Sequence, residues 1–143
     1  MEIPQETFKA FIPIQIRFSD IDALGHINNN AYFSYFDLGK TTYFEDIKPH
    51  YVNWVEGLIV VANIQVDFFS PIYYREKIVV ESKIIKLGEK SGVFLQQIRS
   101  VKNDEIKCRC KTVFVTYNAA TQSSMPIPEI WRTAISKYEE IDL

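Results

Sequence analysis

The sequence predicts an α+β domain in which an antiparallel sheet curls around one central helix. Three observations lead there. An alternating apolar run near the N-terminus is followed by a segment, 31 to about 46, that is apolar on most sides. Four strand-like runs then follow with short, turn-like separators. A last segment beginning near Pro128 repeats its apolar residues at helical spacing. One strand, one buried helix, four strands and one amphipathic helix suit a helix packed on one antiparallel sheet.

Each element has its own reason. Ile12, Ile14, Ile16 and Phe18 alternate with Pro13, Gln15 and Arg17, the period of a strand. Pro13 places that strand at an edge, or leaves it paired only from Ile14 onward. The helix from Ala31 to about Asp46 carries Tyr32, Phe33, Tyr35, Phe36, Leu38, Tyr43 and Phe44, and a helix apolar nearly all round is expected to be buried. Gly39 costs about 1 kcal/mol there against alanine, so close packing against the sheet is the expected compensation. Among the four later runs, Leu58 to Phe69 comes first, with Val60, Ala62, Ile64, Val66 and Phe68 expected on one face. Lys77 to Leu87, Val93 to Val101 and Ile106 to Tyr117 follow, and Lys107, Arg109 and Lys111 face away from Ile106, Cys108 and Cys110. The separators at Ser70-Pro71, Gly88-Glu89-Lys90 and Lys102-Asn103-Asp104 suggest hairpins. Pro128 suits the first position of a helix carrying Ile127, Ile130, Trp131, Ala134, Ile135 and Tyr138.

Composition narrows the class. At 143 residues the chain is read as one domain, residues 1–143. A formal charge of −2 gives no electrostatic case for nucleic acid or an anionic membrane. No apolar run reaches the 18 or so residues of a membrane span, and the acidic start, Met-Glu-Ile-Pro-Gln-Glu-Thr, lacks the apolar core of a signal peptide. A soluble cytoplasmic protein is expected. Cys108 and Cys110 are neighbours along one strand, a poor geometry for a disulfide, and His26 and His50 are not at ligand spacing to them. They are read as small buried apolar residues, with no metal and no cofactor expected. His50 is assigned to the surface.

Between the first strand and the central helix lies a dense polar strip, Arg17 to Tyr32, with two acids, a glycine, a histidine and three consecutive asparagines. An EF-hand loop would need ligands where this chain has Leu24 and Ala31. An aspartyl-phosphate site of the Asp-x-Asp type would continue with Gly or Thr where Ala23-Leu24 stand, on a parallel sheet. Without a family, Asp22 reads as a turn or capping acid or as a catalytic carboxylate, placed just before a helix start that offers unpaired N–H groups and partial positive charge.

Arg17, Asp20, Asp22, Gly25, His26, Asn28, Asn29, Tyr32, Tyr35, Phe36 and Asp37 together resemble the signature of the 4-hydroxybenzoyl-CoA thioesterase family of hotdog folds. Only Ile27, where that family has valine, departs from it. The resemblance implies a helix wrapped by an antiparallel sheet, a homodimer joined through its sheets, often paired into a homotetramer, and an active site at a protomer interface. It implies an acyl-CoA substrate, with Asp22 as nucleophile or general base. The backbone N–H at Asn29 would polarise the thioester carbonyl, with Gly25 allowing close backbone approach.

The remaining residues keep several readings. His26 positions Asp22, contacts the acyl group, or only closes the loop. Asn28 and Asn29 are candidate caps, with Asn28 also a candidate substrate contact. Tyr32, Tyr35 and Phe36 read as core aromatics, one face of which, Tyr32 above all, could also line an acyl pocket. Asp20 is assigned a loop hydrogen-bonding role, with Arg17 as its ion partner. For CoA the resemblance suggests Ser91, near the pantetheine in relatives, and Lys86, Lys90 and Arg99 are the nearby cations. Two alternatives stand beside CoA thioester hydrolysis. One is an acyl-carrier-protein thioesterase, which needs a basic docking face that only Lys107, Arg109 and Lys111 could supply. The other is a catalytically silent acyl-CoA-binding protein.

Overall fold

The computed structural model describes residues 2–47 and 58–143; His50 and the polar connection after the first helix lie outside that range. The elements run β1 (Ala10–Ile14), a 3-10 turn (Phe18–Asp20), α1 (Asn29–Asp46), β2 (Leu58–Phe68), β3 (Ile78–Leu87), β4 (Ser91–Ser100), β5 (Ile106–Asn118), β6 (Ser123–Ser124) and α2 (Glu129–Glu139). One antiparallel sheet has the order β1-β3-β4-β5-β2, with β6 pairing onto β5. The α+β class and the helix-on-sheet layout are those the sequence predicts. Among the described residues no helix is long and apolar enough to cross a membrane.

The sheet corrects three expectations. β1 stops at Ile14 instead of continuing to Phe18, because Asp20 accepts hydrogen bonds from the Arg17 N–H and guanidinium and winds the chain into the 3-10 turn. Phe18 is thereby turned out to 80% exposure. Pro13 sits within the paired stretch, opposite Val79, on an edge strand where its missing N–H costs no ladder bond. Second, Ser70-Pro71 does not close a hairpin. β2 pairs with β5 at the far edge, so the chain must cross the end of the sheet before β3 begins. Third, the register of β2 shifts between Val61 and Asn63, a bulge at Ala62. Val61, Ile64, Val66 and Phe68 share the inner face with Phe114, Thr112, Cys110 and Cys108, while Val60 joins the outer face.

The helix α1 is buried along one stripe: Tyr32, Tyr35, Phe36, Gly39, Lys40, Tyr43 and Phe44. It is not buried all round, since Phe33 is 38% and Leu38 45% exposed. Gly39 has the compensation expected of it. A Cβ there would lie 2.7 Å from Val80 Cγ1 and 2.8 Å from Gln96 Nε2 and Ser82 Oγ. Gln96 Nε2 uses that proximity to donate to Phe36 O and Ser82 Oγ, both at 2.9 Å, tying helix to sheet. Pro128 is the residue preceding α2 and not its first turn.

The core has two halves. One gathers Tyr43, Phe44, Phe94, Phe114, Trp131 and Ile135 where α2 closes the C-terminal end of α1. The other gathers Ile27, Tyr32, Phe36, Ile72, Ile98 and Cys108 beneath the N-terminal end of α1. Cys108 and Cys110 are free and buried there, and burial pushes both thiols up from their ordinary range. α1 packs over β1 and β3, and among the described residues the inner face of β2 is only partly covered, with Val61 and Ile64 each 40% and Phe68 45% exposed. On the outer face the N-terminal segment crosses the sheet as a strap. Pro4 O accepts from Arg109 Nη1 at 2.7 Å, and Glu6 lies 3.7 Å from Lys83 Nζ.

Candidate active site

The polar strip folds into a compact loop before α1. Asp22 N–H donates to His26 O at 3.0 Å, Gly25 N–H to Asp22 O at 3.1 Å, and Ile21 bridges Ile27. The turn needs a positive φ at Gly25, +82°, which explains the glycine; no protein atom lies within 4 Å of where its Cβ would be, so that side is open. Close approach between protein segments is therefore not the reason for Gly25, although an open flank leaves room for a ligand.

Asp20 anchors this loop at both ends. Its carboxylate accepts from the Arg17 N–H at 3.0 Å, Arg17 Nη2 at 3.1 Å and Tyr35 OH at 2.6 Å. Its carbonyl accepts from Asn28 N at 2.8 Å, just before the helix begins. Burial pulls the acid up, but the hydrogen bonds from Tyr35 and Arg17 outweigh it and hold the carboxyl below its ordinary value. The burial of the ring and the same pairing raise Tyr35. The structural roles expected of Asp20 and Arg17 are those observed.

Asp22 is arranged differently. One oxygen accepts from Leu24 N at 2.9 Å, and the other lies 3.8 Å from His26 Nδ1, with about 28% of the side chain exposed. It carries a single backbone hydrogen bond, where Asp20 has three donors on its carboxylate. Asn28 caps α1, its Oδ1 accepting from Asn30 N at 2.9 Å. The Asn28→Ala variant should lose about 1 kcal/mol of stability by chemical denaturation, and Asn28→Asp should retain it. Asn29 is the first helical residue, and its N–H has no hydrogen-bond partner among the described residues.

That N-terminus opens into a cavity of about 250 Å³ lined by His26, Ile27, Asn29, Tyr32, Phe68, Phe69, Ser70 and Pro71. Tyr32 is buried at its base, and burial pushes its hydroxyl up to about 12, so it stays neutral at physiological pH. Asp22 stands beside the cavity, behind His26, and does not line it. Ser91 is not brought to this end of the chain: it begins β4, opposite Val115, whereas the cavity lies near the Ile98 end, roughly 20 Å further along the strand.

The far wall is the part that sequence reading misses. Phe68 ends β2, and Phe69, Ser70 and Pro71 begin the crossing to β3; the only local signal is an aromatic pair ahead of a Ser-Pro break. Ile72 O accepts from Ile27 N at 2.8 Å and Tyr73 bridges His26, fastening the crossing to the loop. Lys107 holds its other side: Nζ donates to Ser70 Oγ and Pro71 O, both at 3.3 Å, with Glu105 at 3.1 Å and Glu76 at 3.5 Å. Arg109 is similarly engaged by Gln97 and Pro4 O. The basic face drawn from Lys107, Arg109 and Lys111 therefore dissolves, because only Lys111 remains exposed and without such partners among the described residues.

The antiparallel sheet with α1 laid on it is the fold of the hotdog thioesterases. The family model for the thioesterase-like superfamily matches residues 16–135, and the chain belongs to that superfamily. It is similar to a thioesterase of Thermus thermophilus crystallised with coenzyme A and Zn. That likeness has 29% identity and a TM-score of 0.84, and covers 97% of this chain and 100% of the other. It is also similar to the acyl-CoA thioesterase YbgC of Helicobacter pylori strain J99, 21% identical over 131 residues, 85% of this chain and 96% of that protein. The uncharacterized protein YsmA of Bacillus subtilis strain 168 is 29% identical over 85 residues, 59% of this chain; the match spans 57% of YsmA. Among the described residues, no group of three or more His, Cys, Asp or Glu side chains is placed to hold a metal ion.

Proposed function

We propose that this chain hydrolyses an acyl-CoA thioester to a carboxylic acid and free CoA, as a cytoplasmic homodimer. The observation that carries the reading is the start of α1 at Asn29, a residue whose N–H has no partner among the described residues and which lines a cavity beside the Asp22–His26 pair. A thioester carbonyl seated there would accept from that N–H, and the helix N-terminus would favour the negative charge that develops on its oxygen. Asp22 either attacks the carbonyl carbon, breaking the C–S bond to release the thiolate and forming an anhydride that water then cleaves to the acid and free Asp22, or takes a proton from an attacking water and passes it to the thiolate as the C–S bond breaks. His26, with Nδ1 3.8 Å from Asp22 Oδ2, positions that carboxylate.

Two features support an assembled site. The inner face of β2, apolar and partly exposed, lies against the cavity through Phe68, and a second copy seated on it would bury Val61 and Ile64. Ser91 lies roughly 20 Å from the cavity along the strand within one chain, so a role for it near the pantetheine requires a second copy to supply it. The engaged Lys107 and Arg109 favour CoA over an acidic carrier protein. The test is thiol release from matched acyl-CoA and acylated carrier protein, with titration calorimetry alongside. CoA thioesters should turn over at least tenfold faster. Faster release from the carrier would overturn the CoA assignment, and acyl-CoA binding without turnover would overturn the enzyme reading.

A further inference from the structure

We infer that Phe68 is the end-stop of the acyl site and that the substrate class is short-chain acyl-CoA; this rests on the thioesterase reading above. The cavity beside Asn29 has a volume of about 250 Å³. Sites for drug-sized ligands begin near ~300 Å³. An acyl group of a few carbons fits this open hollow next to the thioester carbonyl, and what limits a longer one is the packing of its walls.

What bounds it is specific. Tyr32, 3% exposed, forms the base, and the Phe68 ring meets it edge-on with centroids 5.0 Å apart. Below Tyr32 the core is filled by Phe36, Ile98 and Cys108, each 1% exposed or less, so no tunnel runs down the helix. Sideways the situation differs. On β2 the inner-face residues beyond Phe68 are Val66 and Ile64, and neither lines the cavity. Phe68 thus stands between a small compartment at the helix N-terminus and a longer apolar strip on the same strand face. An acyl chain longer than the compartment would have to displace the Phe68 ring from Tyr32 to reach that strip.

Phe68 is 45% exposed, so its replacement removes a wall without hollowing the core. The experiment measures kcat/KM for acetyl-, butanoyl-, octanoyl- and palmitoyl-CoA with the full chain and with Phe68→Ala and Phe68→Trp. The wild-type protein should prefer butanoyl- over palmitoyl-CoA by at least tenfold. Phe68→Ala should raise the octanoyl-to-butanoyl ratio at least fivefold, and Phe68→Trp should lower the butanoyl-to-acetyl ratio. A loss of folded protein or of dimer scales every substrate alike and leaves these ratios unchanged. Equal or better wild-type turnover of palmitoyl-CoA, or ratios unmoved in both variants, would overturn the end-stop while leaving the thioesterase reading intact. Absence of hydrolysis with all four thioesters would overturn both.

Discussion

Asp22→Asn should lower kcat for acyl-CoA hydrolysis by about 10²- to 10⁴-fold, the range lost with a positioned acid–base group. The variant is chosen for what it keeps. An amide oxygen at residue 22 can still accept from Leu24 N, so the turn through Gly25 and the entry into α1 are preserved. It removes the negative charge and with it the nucleophilicity and basicity of the carboxylate. Binding should change little, since the cavity is lined by other residues. The expected signature is therefore a fall in kcat at nearly constant KM, with an unchanged melting temperature. Turnover within threefold of wild type would remove Asp22 from the mechanism. Rapid-quench mass spectrometry of a single turnover then separates the two roles: acylated Asp22 marks a covalent anhydride, and unmodified Asp22 throughout the release of thiol marks general-base attack.

The second large effect concerns stability. Asp20→Ala should destabilise the fold by about 3 kcal/mol, since it strips the acceptor from a buried Tyr35 hydroxyl and from two Arg17 donors. For a chain of this size that is roughly 10 °C in melting temperature. Asp20→Asn isolates the charge. The carboxyl is held below its ordinary value in the folded state, so its contribution is complete above the unfolded pKa of about 4 and is lost as pH falls through the lower folded value. The melting-temperature gap between wild type and Asp20→Asn should be constant from about pH 7 to 5 and close below about pH 4. A gap independent of pH down to about 3 would show that the carboxylate charge adds nothing to folding.

Asp20 and Asp22 also show how far the sequence speaks. Short-range chemistry is legible: an Arg and an Asp three apart close a turn, an asparagine caps the helix that follows, and a glycine inside an aromatic helix marks where a sheet comes close. Those relations are decided within a few residues. The rest depends on partners distant in sequence. Phe18 satisfies the alternation of β1 yet points outward, because the carboxylate of Asp20 captures the backbone at Arg17 first. Val60 falls on the outer face, against its alternation with Ile64, because a single extra residue, Ala62, is absorbed by a bulge that leaves no compositional mark. Ser70-Pro71 has the residues of a turn, but pairing β2 with β5 obliges it to begin a crossing instead. Lys107 has the sequence context of a solvated strand cation. Only the folded crossing brings Ser70, Pro71 and Glu76 around it, beside its sequence neighbour Glu105.

The bulge in β2 has a consequence for how the protein behaves among its own kind. β2 is an edge strand with an apolar inner face, and a long flat edge of that sort invites open-ended strand addition and aggregation. At Ala62 the ladder breaks step and the strand bends, so a straight passing strand meets only part of its hydrogen-bonding row. The kink works as a gatekeeper. It turns a generic sticky edge into a shaped one.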